Sequence, residues 1–371
     1  MMRLVVSTCG TSLLTHQPPE DLRELLNRYA NAQRDQIPGE ALAELDTYIE
    51  SQRRRLLAAG VEEARHLSAE LNGILALLDG EITEAARRDH HILVASDTYL
   101  GRRCAGTVVE WLRRRQIRVQ EPEVIPNLVT DELKTFHNGV QHLVLWCENV
   151  LPGYHQQRYR IVFNLTGGFK AFQGVMTTLA HEYADEVVYI FQGSKELLRI
   201  PALPFKWDPI SICREHFAVL RKLMIADRPA GEVGFLPELL VVDKDGLVSL
   251  SLLGQLVWAK GQRVLYGERL HEPPSHLIRY RDRFRNDVKA ISDPKRIRQI
   301  NERVDDLERH LRGLQLASRE ASRIRPVQGK PTSVPREVSH ECYAWSDGAA
   351  CRIFFHYDQG GIVLDALGPH L

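Results

Sequence analysis

The stretch from Ile161 to Met176 packs three elements into a short space: a buried strand, a two-glycine turn and the start of a packed helix. Ile161-Val162-Phe163 is an apolar, β-branched run, and Ala171-Phe172-Gln173-Gly174-Val175-Met176 reads as a helix that buries one face. Between them lies Asn164-Leu165-Thr166-Gly167-Gly168-Phe169-Lys170. A strand that turns this tightly into a helix commits the surrounding chain to a layered α/β arrangement. It also builds an anion site, because the first amides of a helix have no intrahelical acceptor and the helix dipole favours negative charge there. Lys170 adds a full positive charge in the first turn. The GxxxxGK[ST] spacing of a P-loop is missing, and the same residues also suit a purely structural βα turn.

Short apolar runs at 3–7, 92–95, 143–147, 161–165 and 187–191 alternate with helical patterns across the first 205 residues. That alternation predicts a parallel, doubly wound sheet, with a long helical insertion over 20–90 that sets charges against Leu and Ala. Ligands of such sheets lie beyond the carboxyl ends of the strands. Three Ser/Thr/Gly-rich loops fall there. They supply Thr8, Gly10, Thr11 and Ser12 from the first, Ser96, Asp97 and Thr98 from the second, and Thr166, Gly167, Gly168 and Lys170 from the third. Three such loops on one sheet predict a crevice for phosphate or a nucleotide.

After Pro201 and Pro204 the pattern changes. Residues 206–270 read as a winged-helix-like module: a helix from Ser211 to Met224, a hairpin of Leu239–Val242 and Leu247–Leu250 about Asp245-Gly246, and a helix over 252–260. Such a module binds DNA or serves as a connector. No clustered Lys/Arg recognition helix is visible, so specific DNA is not expected. Residues 271–371 start with a Pro-containing linker. A charged helical pair over 275–317 follows, with Pro294 at its break and an apolar stripe from Ile278 through Phe284, Ile300, Val304 and Leu311. The chain closes as an antiparallel meander signalled by Asp347-Gly348 and Gly360-Gly361. The formal net charge is zero, which excludes an overall electrostatic pull toward nucleic acid, yet positions 279–336 carry about twice as many basic as acidic residues. No apolar stretch approaches a membrane span, no secretory h-region is visible, and six scattered cysteines lack metal-site spacing. The expectation is a cytoplasmic protein with reduced thiols and no bound metal.

The first 205 residues resemble the CARF sensor domains of type III CRISPR defence, carried by Val6-Ser7-Thr8-Cys9-Gly10-Thr11-Ser12, Ser96-Asp97-Thr98 with Gly101, and Asn164–Lys170 in that order. The resemblance implies a Rossmann-like fold and a homodimer. It also implies an allosteric activator, cyclic oligoadenylate and commonly cyclic tetra-adenylate, bound across the two-fold axis by the loop residues named above. Some relatives also cleave the ring, with a ribose 2′-hydroxyl attacking the adjacent phosphate; Ser12 and Lys170 match the positions that would do this. Binding and cleavage need the same residue types.

The last 100 residues resemble RelE-type messenger-RNA interferases, in which two helices precede a strand meander. Cys351-Arg352-Ile353-Phe354-Phe355 matches the strand with the family's phosphate-binding arginine, and His370 falls near a C-terminal acid or base. The lysine pair of some members is missing; Glu341 and Tyr343 occupy the neighbourhood, and Lys330 and Arg336 supply positive charge nearby. Strand alternation puts Ile353 and Phe355 toward the helices and leaves Arg352 and His356 toward solvent or RNA. The implied activity is a metal-independent, ribosome-dependent endoribonuclease acting on messenger RNA and stopping translation, with no cofactor. Two rivals remain: an all-helical HEPN ribonuclease using Arg303 and His310, and a ligand-responsive transcription regulator working through residues 206–265.

Overall fold

The computed structural model describes residues 2–191, 196–201, 207–314, 324–327, 335 and 337–369. They fall into two compact units, residues 1–206 and 207–371.

The first unit is a sheet flanked by helices. Its strands are β1 (Arg3–Cys9), β2 (His90–Ala95), β3 (Arg118–Val119), β4 (Glu123–Val124), β5 (Arg160–Asn164), β6 (Glu186–Ile190) and β7 (Leu197–Pro201). Its helices are α1 (Ser12–Thr15), α2 (Glu20–Arg28), α3 (Gly39–Ala58), α4 (Val61–Leu67), α5 (Ala69–Leu77), α6 (Glu84–Arg87), α7 (Tyr99–Arg114), α8 (Leu133–Gln156) and α9 (Lys170–Tyr183). The strand order is β3-β2-β1-β5-β6-β7, with β4 also on β2. β2, β1, β5 and β6 run parallel, and β7 closes the edge antiparallel. Val5 sits opposite both His91 and Val162, so β1 is central and its side chains are buried on both faces. Near-continuous apolar runs are what such a strand requires.

One expected strand is a helix. Leu143–Cys147 lies within α8, whose buried residues Val140, Leu143, Val144, Cys147 and Leu151 recur at helical spacing. A short apolar run cannot be told from a buried helix segment until its flanks are counted. The edge strand β7 carried no recognisable signal either.

The second unit begins with α10 (Pro209–Glu215), α11 (Phe217–Ile225), β8 (Arg228–Pro229), α12 (Ala230–Val233), β9 (Val241–Lys244), β10 (Leu247–Leu250) and α13 (Leu252–Glu268). The helix expected over 211–224 is broken at His216, and α13 runs well beyond Lys260. β10 lies between β8 and β9, and the β9–β10 turn has positive φ at Asp245 and Gly246, as a tight hairpin demands. Then come β11 (Ile278–Tyr280), α14 (Asp282–Lys289), α15 (Pro294–Leu311), β12 (Arg325–Pro326), β13 (His340–Trp345), β14 (Cys351–Asp358) and β15 (Gly361–Pro369). Their sheet has the order β11-β15-β14-β13-β12. Ile278–Tyr280, expected as helix, pairs in parallel with Ile362–Leu364 instead. Ile353 and Phe355 pack with Phe284, Ile300 and Val304, as alternation predicted. Segments 207–270 and 271–371 centre on two apolar clusters within one compact unit, with Leu270 packed against the second. The strands β13–β15 exclude an all-helical fold here, and Arg303 is turned inward onto Asp306 at 2.8 Å.

Candidate functional site

β2 lies on one side of β1 and β5 on the other, so the chain order reverses at β1. Ligand crevices of open parallel sheets form at that reversal. The loop after β1 and the loop after β5 meet there. A Cβ on Gly10 would stand 3.0 Å from the Gly168 Cα, and Gly168 has φ +89°. Two backbones can approach this closely only because both residues lack side chains.

The orientation of the second loop is set by its carbonyls. The Gln173 side-chain amide donates to Leu165 O and Gly167 O, both at 3.0 Å, and the Thr8 hydroxyl donates to Gly167 O at 2.6 Å. Asn164 Oδ1 accepts from the Thr166 amide and hydroxyl, while its Nδ2 donates to Ser7 Oγ and Glu70 O. With the carbonyls drawn inward, the amides from Gly168 to Phe172 have no acceptor among the described residues. They stand at the start of α9, where Lys170 is exposed and makes no ion pair with a described residue. Main-chain N–H groups, a helix dipole and one ammonium are together the chemistry that suits an anion.

The first loop is organised differently. Glu70, 1% exposed, enters from the first turn of α5 and accepts from Gly10 N at 2.9 Å and from Ser12 Oγ at 2.6 Å. Ser68, the N-cap of α5, adds a third donor at 2.7 Å. Gly10 and Ser12, both expected to face a ligand, are therefore already engaged by a carboxylate. Gly167 completes the fit, since a Cβ there would lie 2.3 Å from Glu70 Oε1. Burial, and after it the Glu70 charge, pushes the Cys9 thiol well up. Thr11 is half-buried and supplies a carbonyl that starts α1.

The middle loop serves as scaffold. Thr98 Oγ1 caps α7 by accepting from Gly101 N at 3.0 Å and lies 3.2 Å from Ser96 Oγ. Asp97 accepts from Asn127 N, Gln33 and Arg102. Burial opposes its charge, but these hydrogen bonds together hold the carboxyl below the usual range. Sequence reasoning missed Glu70 and Gln173. Ser68-x-Glu70 before the apolar Leu71, Ile74 and Leu75 marks a helix start, yet nothing local shows that the carboxylate is buried.

A second cluster lies on the sheet face of β13 and β14 opposite the helices. Arg352 was expected toward solvent; it is 3% exposed and ion-paired with buried Glu341. Its guanidinium stacks 4.6 Å from the Tyr343 ring centre and donates to the Tyr343 hydroxyl at 3.1 Å. Arg325 approaches the same Glu341 and Tyr343. Burial, and then the Arg325 charge, lowers the proton affinity of Arg352. His356 shares this face and pairs through Nδ1 with Asp365 at 2.7 Å, which also meets Arg281 at 3.0 Å. Asp365 is the extra residue at the bulge where Phe354 faces Ala366 and Phe355 faces Leu364. Lys330, Arg336 and His370 lie outside the described residues.

Residues 65–203 match the family model of a CRISPR-associated protein (Cas_APE2256). The match supports a CRISPR-associated role. It spans Glu70, the Ser96–Thr98 loop and the Thr166–Lys170 turn, and leaves out the loop after β1. No curated protein gives a significant match to the chain. Among the described residues, no helix is long and apolar enough to cross a membrane, and no group of His, Cys, Asp and Glu could hold a metal ion.

Proposed function

We propose that the N-terminal unit is a CARF sensor that binds cyclic oligoadenylate, and that the C-terminal part is a RelE-like endoribonuclease switched on by that binding. The carrying observation is the β5–α9 turn. Its carbonyls are held by Gln173 and Thr8, and its amides and the Lys170 ammonium are left for an anion. The family match over the same turn supports a CRISPR-associated role, and a nucleotide signal of that defence would be the anion. A cyclic tetra-adenylate suits a homodimer, because a symmetric ring can offer each protomer the same phosphates.

In the C-terminal part, β11, α14, α15 and the β13–β15 meander agree with two helices before strands. Arg352 would hold the scissile phosphate, and Glu341 beside it would take the 2′-hydroxyl proton of the transcript. His356, oriented by Asp365, lies on the same face. The basic residues of 279–325 would meet ribosomal RNA phosphates with little sequence readout. A coupling of about 1–3 kcal/mol between ring and nuclease would change activity roughly 5- to 150-fold.

Translation in a lysate tests this reading, with the full-length protein and each cyclic oligoadenylate added alone or together. The expected result is arrest and transcript cutting only with both, and none on purified RNA without ribosomes. Unchanged synthesis with both present rejects it.

A further inference from the structure

We propose that Glu70 is the proton acceptor of the N-terminal crevice, acting through Ser12 on a ribose 2′-hydroxyl of the bound ring. This rests on the reading of the crevice as a cyclic oligoadenylate site. Ser12 Oγ stands between two fixed partners. It donates to Glu70 Oε2 at 2.6 Å and accepts from Ala69 N at 3.0 Å. A serine hydroxyl has one proton and two lone pairs. Ser12 therefore has no proton left to give a phosphate oxygen, and one lone pair left to accept a donor. Phosphate oxygens only accept, whereas a ribose 2′-hydroxyl donates. Ser12 is half-buried, whereas Glu70 is enclosed and works as a positioning residue.

The surroundings favour that role. Glu70 has no cationic partner among the described residues; its donors are Gly10 N, Ser12 Oγ, Ser68 Oγ and the Cys9 thiol. The titratable groups facing it are Cys9 on β1 and Cys104 on α7. Both thiols are pushed up by burial first and by Glu70 next, so they stay protonated near neutral pH. In the step, the 2′-hydroxyl proton passes to Ser12 Oγ as the Ser12 proton passes to Glu70 Oε2. The 2′-oxygen bonds to phosphorus, the bond from phosphorus to the 5′-oxygen breaks, and that oxygen takes a proton from water. The product is a linear oligoadenylate with a 2′,3′-cyclic phosphate and a 5′-hydroxyl. Glu70 then returns its proton to solvent through Ser12.

The test uses full-length protein with cyclic tetra-adenylate, calorimetry for binding, and chromatography of products across the pH range in which the fold persists. Glu70→Gln is expected to bind the ring while forming product at least about tenfold more slowly, and to lose the acid limb of the wild-type rate profile. If Glu70→Gln does not fold, Glu70→Asp decides: the retained carboxylate should keep that limb at a reduced rate, and its loss overturns the proposal. Wild-type rate and profile in Glu70→Gln overturn it as well, as does wild-type protein that binds the ring without opening it. Wild-type protein that binds no ring removes the crevice reading itself and this inference with it.

Discussion

Arg221 and Asp305 form an ion pair 2.8 Å long within the second unit, and both side chains are almost fully excluded from solvent. Arg221 comes from α11 and Asp305 from α15, so the pair ties segment 207–270 to the helices of the C-terminal sheet. Asp305 also accepts the Tyr266 hydroxyl, and Arg221 donates to Glu272 O at 2.6 Å. Breaking one half of such a pair leaves a buried charge. Arg221→Met is expected to cost about 3–5 kcal/mol, and Arg221→Met with Asp305→Leu to recover at least half. Urea denaturation of the three proteins measures both values; an additive double variant would mean that the pair is not coupled.

Gly167→Ala should damage the N-terminal crevice without unfolding the unit around it. Its Cβ would stand 2.3 Å from Glu70 Oε1, so Glu70 must move and release Gly10 and Ser12. Ring affinity is expected to fall more than about tenfold, equivalent to about 1.4 kcal/mol, with an unchanged far-ultraviolet circular dichroism spectrum. Calorimetry reads the first and the spectrum the second.

His91 makes the first unit sensitive to acid. It is fully buried on β2, neither ring nitrogen has a hydrogen-bond partner among the described residues, and burial lowers its pKa from 6.5 to about 4. Between those values the unfolded chain binds a proton that the folded chain refuses. Stability is therefore full above about pH 6.5 and declines as pH falls toward 4, by on the order of 3 kcal/mol. His91→Leu should lack this decline. The difference between wild-type and variant denaturation midpoints across that window is the measurement, and parallel curves would refute the assignment.

Lys170→Glu and Arg352→Ala should separate sensing from cutting. Lys170 is exposed, so its replacement is expected to change stability by less than about 0.5 kcal/mol while abolishing ring-dependent arrest. Arg352→Ala should keep ring binding and lose transcript cutting. It should also lower stability, because buried Glu341 loses its closest cation. Calorimetry with the ring and a translation assay read the two functions; wild-type cutting by Arg352→Ala would remove it from the site.

Much of the first unit was legible because its signals are local. The runs at 3–7, 92–95, 161–165 and 187–191 each lie in or overlap a central strand, and Thr166-Gly167-Gly168 turns where two glycines allow it. Leu143–Cys147 misled because a five-residue window cannot separate a buried strand from a helix face. Ile278–Tyr280 misled because its strand state comes from pairing with residues more than eighty positions later.

The order of apolar runs, the glycines of the turns and the hydroxyl-rich loops were written in the chain, because backbone geometry and hydrophobic period act over a few residues. Which polar groups meet one another was decided by tertiary structure alone. Glu70 reaches Ser12 across 58 positions, and the Arg352 guanidinium meets Glu341 on a neighbouring strand rather than solvent. A buried carboxylate claims the nearest donors whatever their distance along the chain, because leaving either group unpaired away from water costs more than ordering the contact.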